Sequence, residues 1–439
     1  MKNLFSKTMK QYVALLYAAL VISVLFASCK KDNNRGTIPD LPQKITYTGS
    51  TDPLSEGRSD MQVYQTGNYT CFTRGSIYSL SNNTSWSSNT DVYNKQTGNW
   101  SRFGLSVKRD KYAAAAFNNK LLIAGGVNTN NTYSAVTDIF DLATGQATTT
   151  QLSQPRGFLA AAGAGNKILF AGGHLANNKV SARVDIYNTQ TGQWTIDSLS
   201  LARSQLVAGV VGNKLVFAGG VAQNSNGEGY YSNRVDIYDV QTGQWTQATL
   251  SQPRITYYPT KVVTAGNKLL FIGGATTLNY ETVDVFDAQT NQWTSINLTG
   301  NTIFYSIACT NGSHVFITSG SGITFYFTRL HIYNAQTGQV NSVPLPEPIR
   351  GLNMAAIENK VVIAAGFINN QITDKVFVYD IQTGLFDTTG FKLPQRKIDV
   401  TAASAGNKFL FAGGLIDEQP AGQPRRVENF KTVSVFELK

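Results

Sequence analysis

Histidine, cysteine and charge are all scarce in this chain. Its 439 residues include three His, three Cys and four Met, and only 15% of them are charged. The three histidines, His174, His314 and His331, are too few and too scattered to build a metal centre easily. No Cys-His pair, nucleophile elbow or phosphate-binding loop stands out, so catalysis finds little support and no metal or other cofactor is implied. Lys and Arg outnumber Asp and Glu by 37 to 27, a formal charge of +10. No basic run approaches a nucleic-acid-binding tract, so the excess is at most a mild bias toward anionic partners. Long apolar runs are also missing, apart from Tyr12 to Phe26, which is too short to span a bilayer comfortably.

That short run does have a context. Lys2, Lys7 and Lys10 precede it, and Phe26-Ala27-Ser28-Cys29 follows. A basic segment, an apolar segment and small residues before a cysteine make a secretory leader. The last four residues resemble the lipobox of bacterial lipoproteins. The resemblance implies a signal peptide over 1–28, a lipid on Cys29, and anchoring in the cell envelope. Lys30, rather than Asp, after the cysteine implies the outer membrane. Cleavage would leave a charge of 34 − 27 = +7. Residues 29–43 then read as anchor and polar, Pro-broken linker, with a reach of roughly 45–50 Å. Cys71 and Cys309 fall in different apolar strands and are expected as free buried thiols.

From residue 44 to 439 one unit recurs, with 39 Gly supplying its turns. The clearest copy opens at Arg156, runs through Phe158-Leu-Ala-Ala-Ala, and turns at Gly165-Asn166. It returns as Lys167-Ile-Leu-Phe-Ala171 and stops at Gly172-Gly173. After a variable loop come Val184-Asp-Ile-Tyr187, a Thr191-Gly192 turn and Trp194-Thr-Ile. Such pairs give tight turns their positive-φ positions, and the Val, Ile, Phe and Tyr runs suit pleated, packed strands. The second glycine of the double-glycine step recurs at 75, 126, 173, 220, 274, 320, 366 and 414. Arg74, Ser319 and Ala365 replace the first one in three copies.

An apolar run, Gly-Gly, an aromatic strand and a Trp after a short turn resemble the kelch repeat. This implies an all-β, eight-bladed kelch-type β-propeller. The chain stops just after a third strand, at Glu437-Leu-Lys439, while Leu54-Ser-Glu-Gly-Arg58 copies the end-of-unit signature of Leu152-Ser-Gln-Pro-Arg156. Ile45 to Ser50 is therefore expected to pair into the last blade and close the ring, which removes the open sheet edge. The alternative is seven blades with an irregular start.

In this topology Arg58, Arg109, Arg156, Arg203, Arg254, Arg350 and Arg396 are expected around the channel mouth, on the face that bears the variable loops. Two readings stand. The arginines form a guanidinium collar for a carboxylate or sulfate, or each crosses within its blade to Asp91, Asp138, Asp185, Asp236 or Asp284. Some kelch propellers bind acidic peptides or sialic acid through rim arginines. The loops add Trp86, Tyr133, His174, Tyr230, Tyr231, Tyr280, Tyr326 and Phe367, side chains suited to flat amphipathic ligands. The expected partner is a glycan, a peptide or an envelope protein, bound by a monomeric, lipid-anchored propeller that takes no nucleic acid. The alternative is a carbohydrate-active enzyme such as a sialate epimerase or mutarotase, with Glu228, Glu281, Asp374 or Glu418 as acid/base.

Overall fold

Apolar runs of five or six residues, each ended by a turn dipeptide, fold back on one another as antiparallel sheets. In the third unit Ala160–Ala164, Lys167–Ala171, Arg183–Asn188 and Trp194–Ser198 pair in that order. Its second strand is apolar on both faces, and Ile168, Leu169, Phe170 and Ala171 are fully buried. Such a strand needs a neighbour on each side, and the adjoining units supply it. Phe170 packs with Leu122 and Ala124 of the unit before, and Leu169 with Leu215 and Phe217 of the unit after. Removing a side chain of that size from water contributes about 1.5–3 kcal/mol, so blade-to-blade contact carries most of the stability.

The structure is a computed structural model that describes residues 44–81, 84–254, 261–274, 281–298, 303, 306–320, 326–387, 390–419 and 423–439. The leader, Cys29, the whole linker to residue 43 and Tyr280 lie outside the described residues. Among the described residues there are strands and turns but no helix. Eight four-stranded sheets form eight blades. Their innermost strands begin at Gln62, Ala113, Ala160, Val207, Lys261, Ala308, Asn353 and Thr401, and each neighbours the next around a complete ring.

Ile45–Thr51 forms the outermost strand of blade 8, antiparallel to Val433–Leu438, with Ile45 opposite Leu438 and Thr51 opposite Val433. Tyr47 packs 5.2 Å from Phe436 across this pair. Eight blades, rather than seven, are present, and the first and last described strands share a sheet.

The double glycine marks where one blade's backbone crosses the next. A Cβ on Gly172 would lie 2.4 Å from the carbonyl oxygen of Arg203, and Gly172 has φ +68. The amide of Gly173 donates to that same carbonyl at 2.8 Å. Any side chain here would push the blades apart. The innermost strands enclose a channel of about 520 Å³, lined largely by Ala and Val, with Tyr64, Tyr112, Lys261, Cys309 and Asn353 among them.

Candidate functional site

The repeated arginines were the first candidates for a ligand collar, and the structure removes five of them from the surface. Arg58, Arg156, Arg203 and Arg254 have no exposed area and Arg109 almost none. Each pairs with the third-strand aspartate of its own blade: Arg58 with Asp91 at 2.8 Å, Arg109 with Asp138, Arg203 with Asp236 and Arg254 with Asp284 at 2.7 Å, and Arg156 with Asp185. The same carboxylates accept the backbone amides of Ser55, Ser106, Ser153, Ser200 and Ser251 at 2.9–3.1 Å. The Leu-Ser-x-x-Arg segment is thus a staple, holding the incoming linker on the third strand of the next blade. Burial pulls Arg156 down to about 10 in spite of the Asp185 charge, and it stays protonated at neutral pH. A buried, neutralised guanidinium is not offered to a ligand.

Arg350 and Arg396 are not members of that series. Counting four residues from Leu345 and Leu393 leads to Ile349 and Lys397, both fully buried. Ile349 shares an apolar cluster with Phe377, which stands where other blades have Asp. Lys397 donates to Thr432 at 3.2 Å, and its carbonyl accepts the amide of Gly366 as Arg203's accepts that of Gly173. Arg396 is exposed and meets Glu418 at 3.3 Å. Blade 6 puts His331 in the aspartate's place, 2.6 Å from Ser319, and burial lowers its pKa to about 4.

Relieved of the staple, Arg350 lies half-buried on the loop face. Its guanidinium stacks 4.4 Å from the Phe367 ring centre and 5.7 Å from that of Tyr326. The Tyr326 hydroxyl donates to Asn370 at 2.8 Å, which holds the ring in place. Arg350 has no carboxylate within ion-pair distance among the described residues. A guanidinium stacked on aromatic rings can still donate in its plane, the geometry that a carboxylate or sulfate accepts.

The loop aromatics divide into two groups. Trp86, Tyr230 and Tyr231 are exposed, on short hairpins that project from blades 1 and 4. Tyr133 and His174 are half-buried and contact each other, hydroxyl to Nδ1 at 3.4 Å, with Phe158 edge-on to His174 at 6.2 Å. Burial lowers the His174 pKa, so the ring is neutral at pH 7. His314 bonds Ser313 and Asn334 on blade 6. Among the described residues no group of three His, Cys, Asp or Glu could hold a metal. Of the carboxylates named as acid/base candidates, Glu228 bonds Asn224, Asp374 lies 3.8 Å from Lys392, and Glu418 pairs with Arg396.

One set of residues had no advance notice in the sequence reading. Two positions after each staple residue the chain bends at the channel mouth in the left-handed conformation. Asp60, Lys111, Phe158, Gln205 and Asp399 have φ between 53 and 56°, and Gly351 has 63°. Their backbones link blade to blade, with Phe158 N–H to Lys111 O and Gln205 N–H to Phe158 O at 2.8 Å, and Asp60 N–H to Asp399 O at 3.2 Å. Glycine fits this conformation freely, whereas an L-residue costs about 1–2 kcal/mol. Five of the six blades in which this position is described nevertheless place a side chain there, each one different except for the two Asp. The available signal was the offset of two from the staple, where residue type changes from blade to blade.

A family model for the KLHDC2/KLHL20/DRC7 Kelch-repeats domain matches residues 113–320 and, overlapping, 210–414. No curated protein matches the chain. The match spans more than half the sequence and falls on blades 2 to 8 of the closed ring, of which blades 2 to 5 carry the Arg–Asp staple. The chain belongs to the kelch-repeat β-propeller family.

Proposed function

We propose that this propeller is a lipid-anchored binding module of the cell envelope, whose loop-bearing face holds a glycan, peptide or envelope protein. The observation that carries the reading is Arg350. It stacks on two aromatic rings, lacks a carboxylate partner among the described residues, and occupies the blade where Ile349 has taken over the structural position. Nearby Phe367 and Tyr326, and the exposed Trp86, Tyr230 and Tyr231 on other blades, supply flat apolar surface of the kind sugars and extended peptides stack upon. The anchor rests on Phe26-Ala27-Ser28-Cys29, and the outer-membrane assignment on Lys30. An epimerase or mutarotase would need a carboxylate and an arginine together in a deep funnel. Of the carboxylates weighed as acid/base, Glu418 meets an arginine, Arg396, at the exposed rim rather than in a funnel, and binding is the reading taken.

The test uses the full chain on a glycan array and as bait for envelope extracts. Arg350→Met is expected to lower affinity for the captured ligand at least tenfold with unchanged melting temperature. Equal affinity in the variant excludes the Arg350 site. Cys29→Ala is expected to release the protein from membranes, and retention of the variant excludes the lipid anchor.

A further inference from the structure

The central channel has a lysine on its lining and two carboxylates in the turns at its mouth. Lys261 starts the innermost strand of blade 5, at the level occupied by Ala113, Ala160 and Val207 in blades 2, 3 and 4. In a ring of eight, blade 5 faces blade 1. Blade 1 brings Asp60 to the channel mouth, next to Asp399 of blade 8, with their backbones joined at 3.2 Å. Among the described residues none of these three groups has an ion pair within 4 Å or a side-chain hydrogen bond. The neighbouring cation Arg74 is committed to Asp110, to which it donates at 3.0 Å.

We propose that the channel is a binding site for a small zwitterion, its ammonium group on Asp60 and Asp399 and its carboxylate on Lys261. This site is separate from the loop-face surface around Arg350. The channel volume of about 520 Å³ lies within the range of small-molecule pockets, roughly 300–1,000 Å³. Its walls fit that use: small apolar side chains leave room along the shaft, Lys261 faces Asp60 and Asp399, and the remaining mouth cation, Lys111, lies over the Phe158 ring at 4.9 Å.

Electrostatics runs the same way. The Lys261 ammonium is pushed down by burial and held up only by the Asp60 charge across the channel. Asp60 is open to channel water yet ringed by protein, which raises it, while Lys261 and Arg74 oppose the rise. Asp399 is raised by burial and by the charge of Asp60. A ligand carrying both charges would relieve the carboxylate pair and the lysine together. A plain amine or a plain carboxylate could relieve only one side.

Isothermal titration of the full chain at pH 7.5 with 4-aminobutyrate, 6-aminohexanoate and 8-aminooctanoate tests this, with hexylamine and hexanoate as single-charge controls. At least one amino acid in the series is expected to bind tenfold or more tightly than both controls. Lys261→Met should reduce it to the level of the amine, and Asp60→Asn with Asp399→Asn to the level of the carboxylate. Asn tolerates the left-handed backbone, so these variants are expected to fold with the wild-type far-ultraviolet circular dichroism spectrum. If no ω-amino acid binds better than the controls, or if Lys261→Met binds as well as wild type, the zwitterion site is wrong. Loop-face binding by Arg350 would be untouched by either result.

Discussion

The amide of Gly414, in the last blade, donates to the carbonyl of Arg58, in the first, at 3.0 Å. The same bond joins Gly173 to Arg203 and Gly220 to Arg254 inside the ring. The junction between blade 8 and blade 1 therefore repeats an ordinary blade-to-blade contact. Its special part lies at the outer edge, where Ile45–Thr51 completes the last sheet.

Deleting Ile45–Thr51 should leave Val433–Leu438 as an open edge while sparing the Gly414–Arg58 bond. The expected result is a lower melting temperature with faster amide exchange concentrated in Val433–Leu438. Exchange that rises evenly over all blades, or not at all, would contradict closure through this strand.

The Arg156–Asp185 staple is buried, so breaking it from one side should cost about 3–5 kcal/mol by stranding a charge. Blade 7 supplies a natural replacement, Ile349 with Phe377. Arg156→Ile alone and Asp185→Phe alone are expected to destabilise strongly, and the double variant to recover at least half of the summed loss. Denaturant midpoints read the difference. A strictly additive double variant would show that the pair is not the coupled unit described here.

How much of this was legible in the sequence depends on whether a feature repeats. Blade number, closure and the Arg–Asp alternative follow from periodic residues whose backbone roles are local, such as turn glycines and alternating strands. Arg350 and Arg396 were counted in the repeated series because residue type was followed where register should have been. Leu345 and Leu393 each count four residues to Ile349 and Lys397. The left-handed residues at the mouth were missed for another reason. Lys, Phe and Gln have no intrinsic tendency toward positive φ, and their conformation at Lys111, Phe158 and Gln205 accompanies hydrogen bonds to the neighbouring blade. The charge pattern of the channel is equally non-local, since Asp60 and Lys261 belong to opposite blades.

Two buried groups should pull stability in opposite directions over the same pH range. His331 is held neutral, its pKa lowered to about 4 by burial, with Arg329 adding to the effect. As pH falls from about 6.5 toward 4 the unfolded chain takes up a proton that the native site refuses, so this contribution to stability is lost. Asp399 is pushed up to about 7. Between the ordinary carboxylate range near 4 and this raised value, the native state keeps a proton that the unfolded chain releases, so its contribution is lost as pH rises. One proton of difference corresponds to about 1.4 kcal/mol per pH unit, and between pH 4.5 and 6.5 the two effects largely offset each other. His331→Gln should therefore turn the pH–stability curve downward with rising pH over this window, relative to wild type. Asp399→Asn should turn it upward. Melting temperatures at half-unit pH intervals measure both slopes, and variants that track the wild-type curve would remove these residues from the pH response.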